Sequence, residues 1–209
     1  RVFAGARKVN IRSQKAQEKL SFIRLGVESE YPEEHSWLEV KEKQPCVLNV
    51  FEREDFVRYR TSLEKVDGKR EDFLPQLLLA DDSEKVVRDY LDQGTLYKIK
   101  CGEVLAGVAL IIPQSNTTIE LKNIAIIPTY QGKGIGKEVL RQLTEICQME
   151  GYQTVLVGTA NSSIDNIAFY QKAGFRMEAI EKDFFRKYPE PIYENGIRAL
   201  DMIFFSKQL

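Results

Sequence analysis

The stretch IAIIPTYQGKGIGKEVL (124–140) runs from an apolar, strand-like segment through a Pro-marked turn into a glycine-rich turn and then a helix. That succession suits phosphate. The first N–H groups of a helix have no internal partner, the helix dipole adds partial positive charge, and glycine lets an anion come close to the backbone. Lys133 and Lys137 add full charges. Two phosphate loops of fixed spacing fail on these residues. A G-x-x-x-x-G-K-[ST] loop needs Gly where Gln131 stands and Ser or Thr where Glu138 stands, and the dinucleotide fingerprint G-x-G-x-x-G fails at Lys137. What the residues do spell is Q-x-x-G-x-G, on Gln131, Gly134 and Gly136.

The elements around this loop give an α+β fold class. Ser83 reads as the N-cap of a helix over 84–92, with Val86, Val87, Tyr90 and Leu91 as its apolar face and Gly94 as its stop. The runs TLYKIK (95–100), EVLAGVALII (103–112) and TIELKNIAII (118–127) read as an antiparallel meander. A long amphipathic helix (about 135–150), the strand TVLVG (154–158), a shorter helix (about 164–173) and two strand-like runs near 175–185 and 197–206 complete the chain. Before Glu54 the pattern differs. Ala16, Leu20, Ile23 and Val27 recur at helical spacing, and SWLEVKEK (36–43) and CVLNVFE (46–52) read as a hairpin, so residues 1–54 form an expected helix-plus-hairpin extension of unknown role. The main domain is expected over 55–209, opening with FVRYR (56–60) as a strand and a helical stretch near 73–79.

Composition narrows the classes. No apolar run approaches the roughly 18 residues of a membrane span, and 30 Lys+Arg against 31 Asp+Glu leave a formal charge of −1. Neither a membrane nor a nucleic acid is an expected partner, since no global field attracts them. Cys46, Cys101 and Cys147 are odd in number and far apart, which fits neither a disulfide framework nor a metal knuckle and implies a reducing compartment, the cytoplasm. His35 is the single histidine, so no metal site is expected and any triad would have to use that residue. Arg1 at the start implies a chain that begins inside a longer product.

With its surroundings, the Q-x-x-G-x-G loop resembles the acetyl-CoA pyrophosphate loop of the GNAT superfamily of N-acetyltransferases, in its bacterial small-molecule branch. The strand IAIIP before the loop and TVLVG after the helix are similarly spaced, and NSSIDNIAFYQKAGF (161–175) ends in the family's Tyr-x-x-x-Gly-Phe at Tyr170, Gly174 and Phe175. The resemblance covers residues 55–209 and is clearest over 103–176. It implies a mixed, mostly antiparallel sheet flanked by helices, acetyl-CoA as cosubstrate, no metal, and frequent homodimerisation. It further implies that the strands flanking the loop helix run parallel but splay, with the pantetheine arm between them. The main chain at Ile126 would contact that arm, while Gln131, Gly132, Lys133, Gly134, Ile135, Gly136 and Lys137 surround the pyrophosphate. Asn161 is the pantetheine candidate after the next strand; the commoner pattern has Asn seven residues before the tyrosine, where this chain has Ser163.

Acetyl transfer requires a deprotonated amine, a polarised thioester carbonyl and a proton for the departing thiolate. A primary amine of pKa about 10.4 is mostly protonated at neutral pH, so a carboxylate can remove its proton directly or through water. Glu120, placed like the catalytic glutamate of the histone-acetyltransferase branch, is the candidate base; its other reading is a solvated carboxylate at a strand start. Alternation puts Glu120, Lys122, Ile124 and Ile126 on one face. Tyr170 matches the family tyrosine that donates toward the CoA sulfur, its other reading being a core aromatic. No covalent intermediate is needed, so Cys147 reads as a structural residue of the loop helix.

The segment FRKYPEPIYENGIRALDM (185–202) brings Tyr188, Glu190, Tyr193, Glu194 and Asp201 together as a candidate aromatic and acidic rim, with Asp81 and Asp82 in the earlier loop. Such a rim favours a small cationic amine, polyamine- or aminoglycoside-like. The alternatives are a protein lysine or N-terminal acetyltransferase, or a non-catalytic CoA-binding interaction module.

Overall fold

The computed structural model describes residues 2–7, 23–27, 46–51, 57, 60–188 and 190–209. It divides into two units, Arg1–Arg60 and Thr61–Leu209. In the first, β1 (Val2–Arg7), β2 (Ile23–Val27) and β3 (Cys46–Phe51) form an antiparallel sheet in the order β1-β3-β2. The strand expected over 46–52 is thus present. Ile23 and Val27, however, belong to a strand rather than to a helix. The reason is visible in IRLGV, where Ile23, Leu25 and Val27 alternate with Arg24 and Gly26: spacings of two and four fit a strand face as well as a helix turn. The expected Ala16 and Leu20 helical positions and the 36–43 strand lie outside the described residues.

The second unit is built on a seven-stranded sheet. Its first strand, β4 (Thr61–Lys65), starts later than expected, because Val57 and Arg60 are helical and pairing begins at Thr61 opposite Cys101. Five residues of FVRYR are too few for periodicity to separate the two states. A 3-10 turn (Arg70–Phe73) leads into α1 (Leu74–Leu77), and α2 (Glu84–Tyr90) follows, capped by Ser83, whose hydroxyl accepts from the Val86 N–H at 3.4 Å. The expected meander is β5 (Thr95–Cys101), β6 (Val104–Pro113) and β7 (Thr118–Ile126). Then come α3 (Ile135–Met149), β8 (Thr154–Ala160), α4 (Ile164–Lys172), β9 (Arg176–Glu181), a small hairpin of β10 (Tyr193–Glu194) and β11 (Ile197–Arg198), and β12 (Met202–Gln208). The strand order is β4-β5-β6-β7-β8-β12-β9. Every neighbouring pair is antiparallel except β7 with β8.

The continuous apolar run of β6 reflects a central strand covered on both faces. On one face Val108, Leu110 and Ile112 pack with Leu77 of α1, Val87 and Tyr90 of α2, and Ala125 of β7. On the other lies α3, which buries Ile135, Val139, Leu140, Leu143 and Cys147 at helical spacing. Burial pushes the Cys147 thiol up to about 11, so it stays protonated and inert, as expected of a structural cysteine. α3 is tied to the sheet edge by polar contacts. The buried Glu138 carboxylate accepts from Arg141 and Gln142, and the Gln142 amide also donates to the Thr61 carbonyl at 2.8 Å. Among the described residues no helix is long and apolar enough to cross a membrane.

Leu110 is fully buried at the centre of this packing. Leu110→Ala is expected to cost about 3 kcal/mol, read as a lower urea midpoint with an unchanged m-value; a shift within 0.5 kcal/mol, roughly that of a surface change, would contradict this placement.

Candidate active site

The parallel pair β7 and β8 is hydrogen-bonded only from Thr118↔Thr154 to Leu121↔Val157. Beyond that both strands continue, β7 along β6 to Ile126↔Gly107 and β8 along β12 to Ala160↔Met202. They therefore splay. The cause is local: Leu110 faces Asn123 while Ile111 faces Leu121, so Lys122 is an extra residue in β7, a β-bulge. A bulge bends its strand and interrupts the ladder, and this one sits at the residue where pairing with β8 stops. The 122–126 backbone of β7 and the 158–160 backbone of β8 then line a wedge open to a strand-like ligand.

The bulge also corrects the expected face assignment. Before it, Glu120 pairs with Ile112; after it, Asn123 pairs with Leu110 and Ala125 with Val108, so all three belong to the face packed by α1 and α2. Lys122 stays with them, its ammonium 3.1 Å from Glu120 and 5.8 Å from the Tyr90 ring centroid. Ile124 and Ile126 turn to the α3 face, where Ile126 neighbours Gly136. Glu120 and the carbonyl-proximal residues thus flank the wedge from opposite sides. The Glu120 side chain is 14% exposed, and its second oxygen accepts from the Gln114 amide at 2.7 Å.

The glycine loop closes the α3 end of the wedge. Gly134 is the helix N-cap with φ of +90°, a left-handed conformation that costs any other L-residue about 1–2 kcal/mol. The first intrahelical bond is Glu138 N–H to the Gly134 carbonyl, so the N–H groups of Ile135, Gly136 and Lys137 have no partner within the helix. A Cβ on Gly136 would lie 3.2 Å from the Phe169 ring, so this residue lets α3 and α4 approach. Gln131, Gly132, Lys133 and Lys137 are exposed around this helix end, with the Lys133 ammonium 5.3 Å from the Tyr130 ring centroid. The Gln131 side chain points inward instead, its amide donating to the Ile126 carbonyl at 2.8 Å. It fastens the loop to the end of β7. Unpaired strand backbone followed by outward N–H groups and lysines fits a pantetheine arm followed by a pyrophosphate.

Tyr170 lies on the buried face of α4, 5% exposed, with ring centroids of Phe169, Phe175 and Phe205 at 5.2, 5.9 and 6.0 Å. Burial alone raises its pKa. Asn161 is used differently from the expectation. Its side-chain oxygen accepts from Leu200 N–H at 2.8 Å and Asp201 N–H at 3.0 Å, and its amide donates to the Arg198 carbonyl at 3.1 Å. Three of its side-chain hydrogen-bonding positions hold the segment before β12, and its main-chain N–H donates to the Asp201 carbonyl at 3.0 Å, leaving one amide hydrogen and the main-chain carbonyl for pantetheine.

The acidic rim is brought together only in part. Tyr188 donates to Asp81 at 3.4 Å across the fold, Tyr90 donates to the other Asp81 oxygen at 3.4 Å, and Asn123 donates to the Tyr90 hydroxyl at 2.9 Å and to the Leu77 carbonyl at 3.0 Å. Burial raises the Asp81 carboxyl above its ordinary value, and burial together with the Asp81 charge raises both tyrosines. Glu194, in contrast, accepts from the hydroxyls of Ser162 and Ser163 at the start of α4, and Asp201 accepts from the Asp183 N–H at 2.9 Å. Glu190 and Tyr193 are exposed. Asn123 was not singled out in the sequence, although a polar residue at a core position of ELKNIAI was a usable signal.

A parallel pair split by a bulge, with a phosphate-fitting glycine turn at its end, defines an acyl-CoA-binding acetyltransferase fold. Residues 51–175 match the Acetyltransferase (GNAT) family, and the chain belongs to that family. It is 44% identical over 128 residues to the uncharacterized N-acetyltransferase YvbK of Bacillus subtilis (strain 168), covering 61% of this chain and 83% of the relative. It is also similar to a GNAT family acetyltransferase from Elizabethkingia anophelis solved with acetyl-CoA bound, with a TM-score of 0.67 and 36% identity over 72% of this chain and 99% of the other. A Bacillus subtilis acetyltransferase solved with CoA gives a TM-score of 0.67 and 39% identity over 71% and 99%. The chain is an acetyl-CoA-dependent N-acetyltransferase.

Gly134→Asp places a carboxylate and a disfavoured φ at the helix entry. The variant is expected to keep its circular dichroism and lose at least about 10-fold in acetyl-CoA affinity by calorimetry; unchanged affinity would move the pyrophosphate elsewhere.

Proposed function

We propose that this chain transfers acetyl directly, within a ternary complex, to a small primary amine that reaches the wedge from the Tyr90 face, with Glu120 as base and Tyr170 as donor to sulfur. The observation that carries the reading is the bulge at Lys122, which leaves Glu120 on one side of the splayed strands and Ile124, Ile126 and the glycine loop on the other. Bound acetyl-CoA supplies the thioester whose carbon accepts the amine and whose sulfur departs. As the N–C bond forms and the C–S bond breaks, an ammonium acceptor loses two protons, one ending on sulfur and one in solvent.

Glu120 takes the first proton, directly or through water. Lys122 and Gln114 orient its carboxylate through the contacts at 3.1 and 2.7 Å. Tyr170 holds its phenolic proton at any working pH, because burial raises its pKa. Full transfer from such a phenol to a thiolate of pKa about 8.5 would be uphill, so its proposed role is a hydrogen bond that stabilises the departing sulfur. Asn161 positions the acceptor loop and contributes its remaining amide hydrogen or main-chain carbonyl to pantetheine.

A small acceptor is favoured because the 185–202 segment is folded onto both wedge strands. Tyr188 reaches Asp81, which is linked through Tyr90 to Asn123 of β7, while Leu200 and Asp201 bond Asn161 at the end of β8. A protein lysine would need this covering open. Of the acidic rim that suggests a polyamine- or aminoglycoside-like cation, Asp81, Glu194 and Asp201 accept hydrogen bonds from neutral donors within the fold, and their charges, with those of Asp82 and Glu190, remain to attract the ammonium. A CoA-binding module without turnover would have no use for a carboxylate held beside the wedge by Lys122 and Gln114.

Calorimetry with acetyl-CoA, followed by CoA release across an amine panel, tests the activity. Glu120→Gln is expected to lower kcat about 100-fold and to lose less as pH approaches the pKa of the amine, where free base no longer needs removal of a proton. Tyr170→Phe is expected to lower kcat about 10-fold. Wild-type turnover and an unchanged pH profile in both variants would remove these two roles.

A further inference from the structure

Residues 185–200 of the segment that precedes β12 line an open cavity of about 430 Å³, a size that suits a small metabolite. Its walls include aromatic Phe185 and Tyr188, apolar Pro191 and Leu200, and two guanidinium-bearing residues, Arg186 and Arg198. Among the described residues no carboxylate lines it. Arg186 is 2.7 Å from Asp183 and is partly neutralised there. Arg198 has no ion-pair partner among the described residues, yet its main chain is held firmly, its carbonyl by Asn161 and its place in β11 by pairing with Tyr193. Glu194, the carboxylate of that hairpin, is directed to Ser162 and Ser163 instead.

Two of its lining residues are hydrogen-bonded to groups beside the wedge. Tyr188 lines it and donates to Asp81 on the Tyr90 face, and Leu200 lines it and bonds to Asn161 at the end of β8. A molecule resting there would have the Asp81 carboxylate one hydrogen bond beyond its Tyr188 wall and, at Arg198, a guanidinium with no ion-pair partner among the described residues. A guanidinium matches a carboxylate with two parallel hydrogen bonds.

Resting on the acetyltransferase reading above, we propose that the acceptor carries a carboxylate as well as the amine, an amino acid in chemical class, with Arg198 binding the carboxylate and Asp81 and Tyr188 receiving the ammonium. Phe185, Pro191 and Leu200 would then accommodate an apolar or aromatic side chain. The acetyl transfer is unchanged: the amine nitrogen gains the acetyl carbon, the sulfur leaves, and the carboxylate takes no part in the chemistry. Arg198 is a specificity residue. A polyamine or an aminoglycoside offers it nothing to bind.

The test compares kcat/KM for the twenty amino acids, their carboxamides, spermidine and an aminoglycoside, after acetyl-CoA binding has been measured by calorimetry on wild type, Arg198→Gln and Arg198→Lys. The proposal expects at least one amino acid to exceed its own carboxamide and both polycations by about 10-fold or more. It further expects Arg198→Gln to reduce that ratio to within about 3-fold of one while acetyl-CoA affinity is retained, and Arg198→Lys to restore part of it. Carboxamides or polycations used equally well, a preference that survives Arg198→Gln, or acetyl-CoA binding without turnover of any amino acid would each overturn this inference and leave the cosubstrate assignment standing. Folded wild type that fails to bind acetyl-CoA would instead remove the acetyltransferase reading and this inference with it.

Discussion

A parallel pair of strands inside a sheet has no place for a ligand unless the ladder is broken, and in this protein one extra residue in β7 breaks it. Lys122 has no counterpart on β6, and from that point β7 and β8 diverge although each stays paired to its outer neighbour. The sheet is therefore continuous at its edges and open at its centre. Backbone groups that would have bonded across the gap are left for a ligand that can imitate a strand, which is how an amide-containing arm is recognised without side-chain specificity. The helix after β7 must begin where such a ligand would end. Gly134 in its left-handed conformation turns the chain there, and Gln131 anchors that turn to the Ile126 carbonyl.

The same bulge divides the labour between the two faces. By adding one residue it reverses the alternation downstream, so that Glu120, Lys122 and Asn123 share the face of Tyr90 while Ile124 and Ile126 face α3. Without it Glu120 would lie on the side of the phosphate-fitting loop, where it would add negative charge beside a site built for an anion. Asn123 then serves as a joint. It satisfies the Leu77 carbonyl at the end of α1 and orients Tyr90, which with Tyr188 holds Asp81.

Much of this was legible in the sequence wherever local chemistry decides the structure. Q-x-x-G-x-G marked the loop because glycine at a left-handed helix entry and unpartnered N–H groups are local requirements. Ser83 marked a helix start for the same reason, and the apolar run 104–112 marked a central strand. What escaped was set by pairing. A bulge is a relation between two strands, so period-two reasoning from TIELKNIAI alone put Glu120 and Ile126 on one face. IRLGV was read as helix because its alternation and a helical spacing coincide over five residues. Asn161 carried a family expectation, yet its side chain answers to Leu200, Asp201 and Arg198, partners about forty positions away that no local pattern reveals.

That long separation bears on how specificity is built. The loop and the wedge draw on a contiguous stretch from β7 through α3 to β8, so the residues that meet the cosubstrate are fixed together by short connections. The proposed acceptor side is assembled from distant pieces: Asp81 from the loop before α2, Asn123 from β7, Asn161 just after β8, and Tyr188 and Arg198 from the segment before β12. These pieces are joined to one another by side-chain hydrogen bonds from Tyr188, Tyr90, Asn123 and Asn161 rather than through a shared ladder. Replacing a residue such as Arg198, whose side chain supports none of those joints, can alter what the cavity accepts without disturbing the strands of the wedge. Replacing Asn161 or Asp81 cannot, because the cavity wall and the wedge strands both hang on them. On the proposed reading the preference for a carboxylate is carried by a group left over once the joints are satisfied, and in the cavity walls among the described residues that group is Arg198, since Arg186 pairs with Asp183.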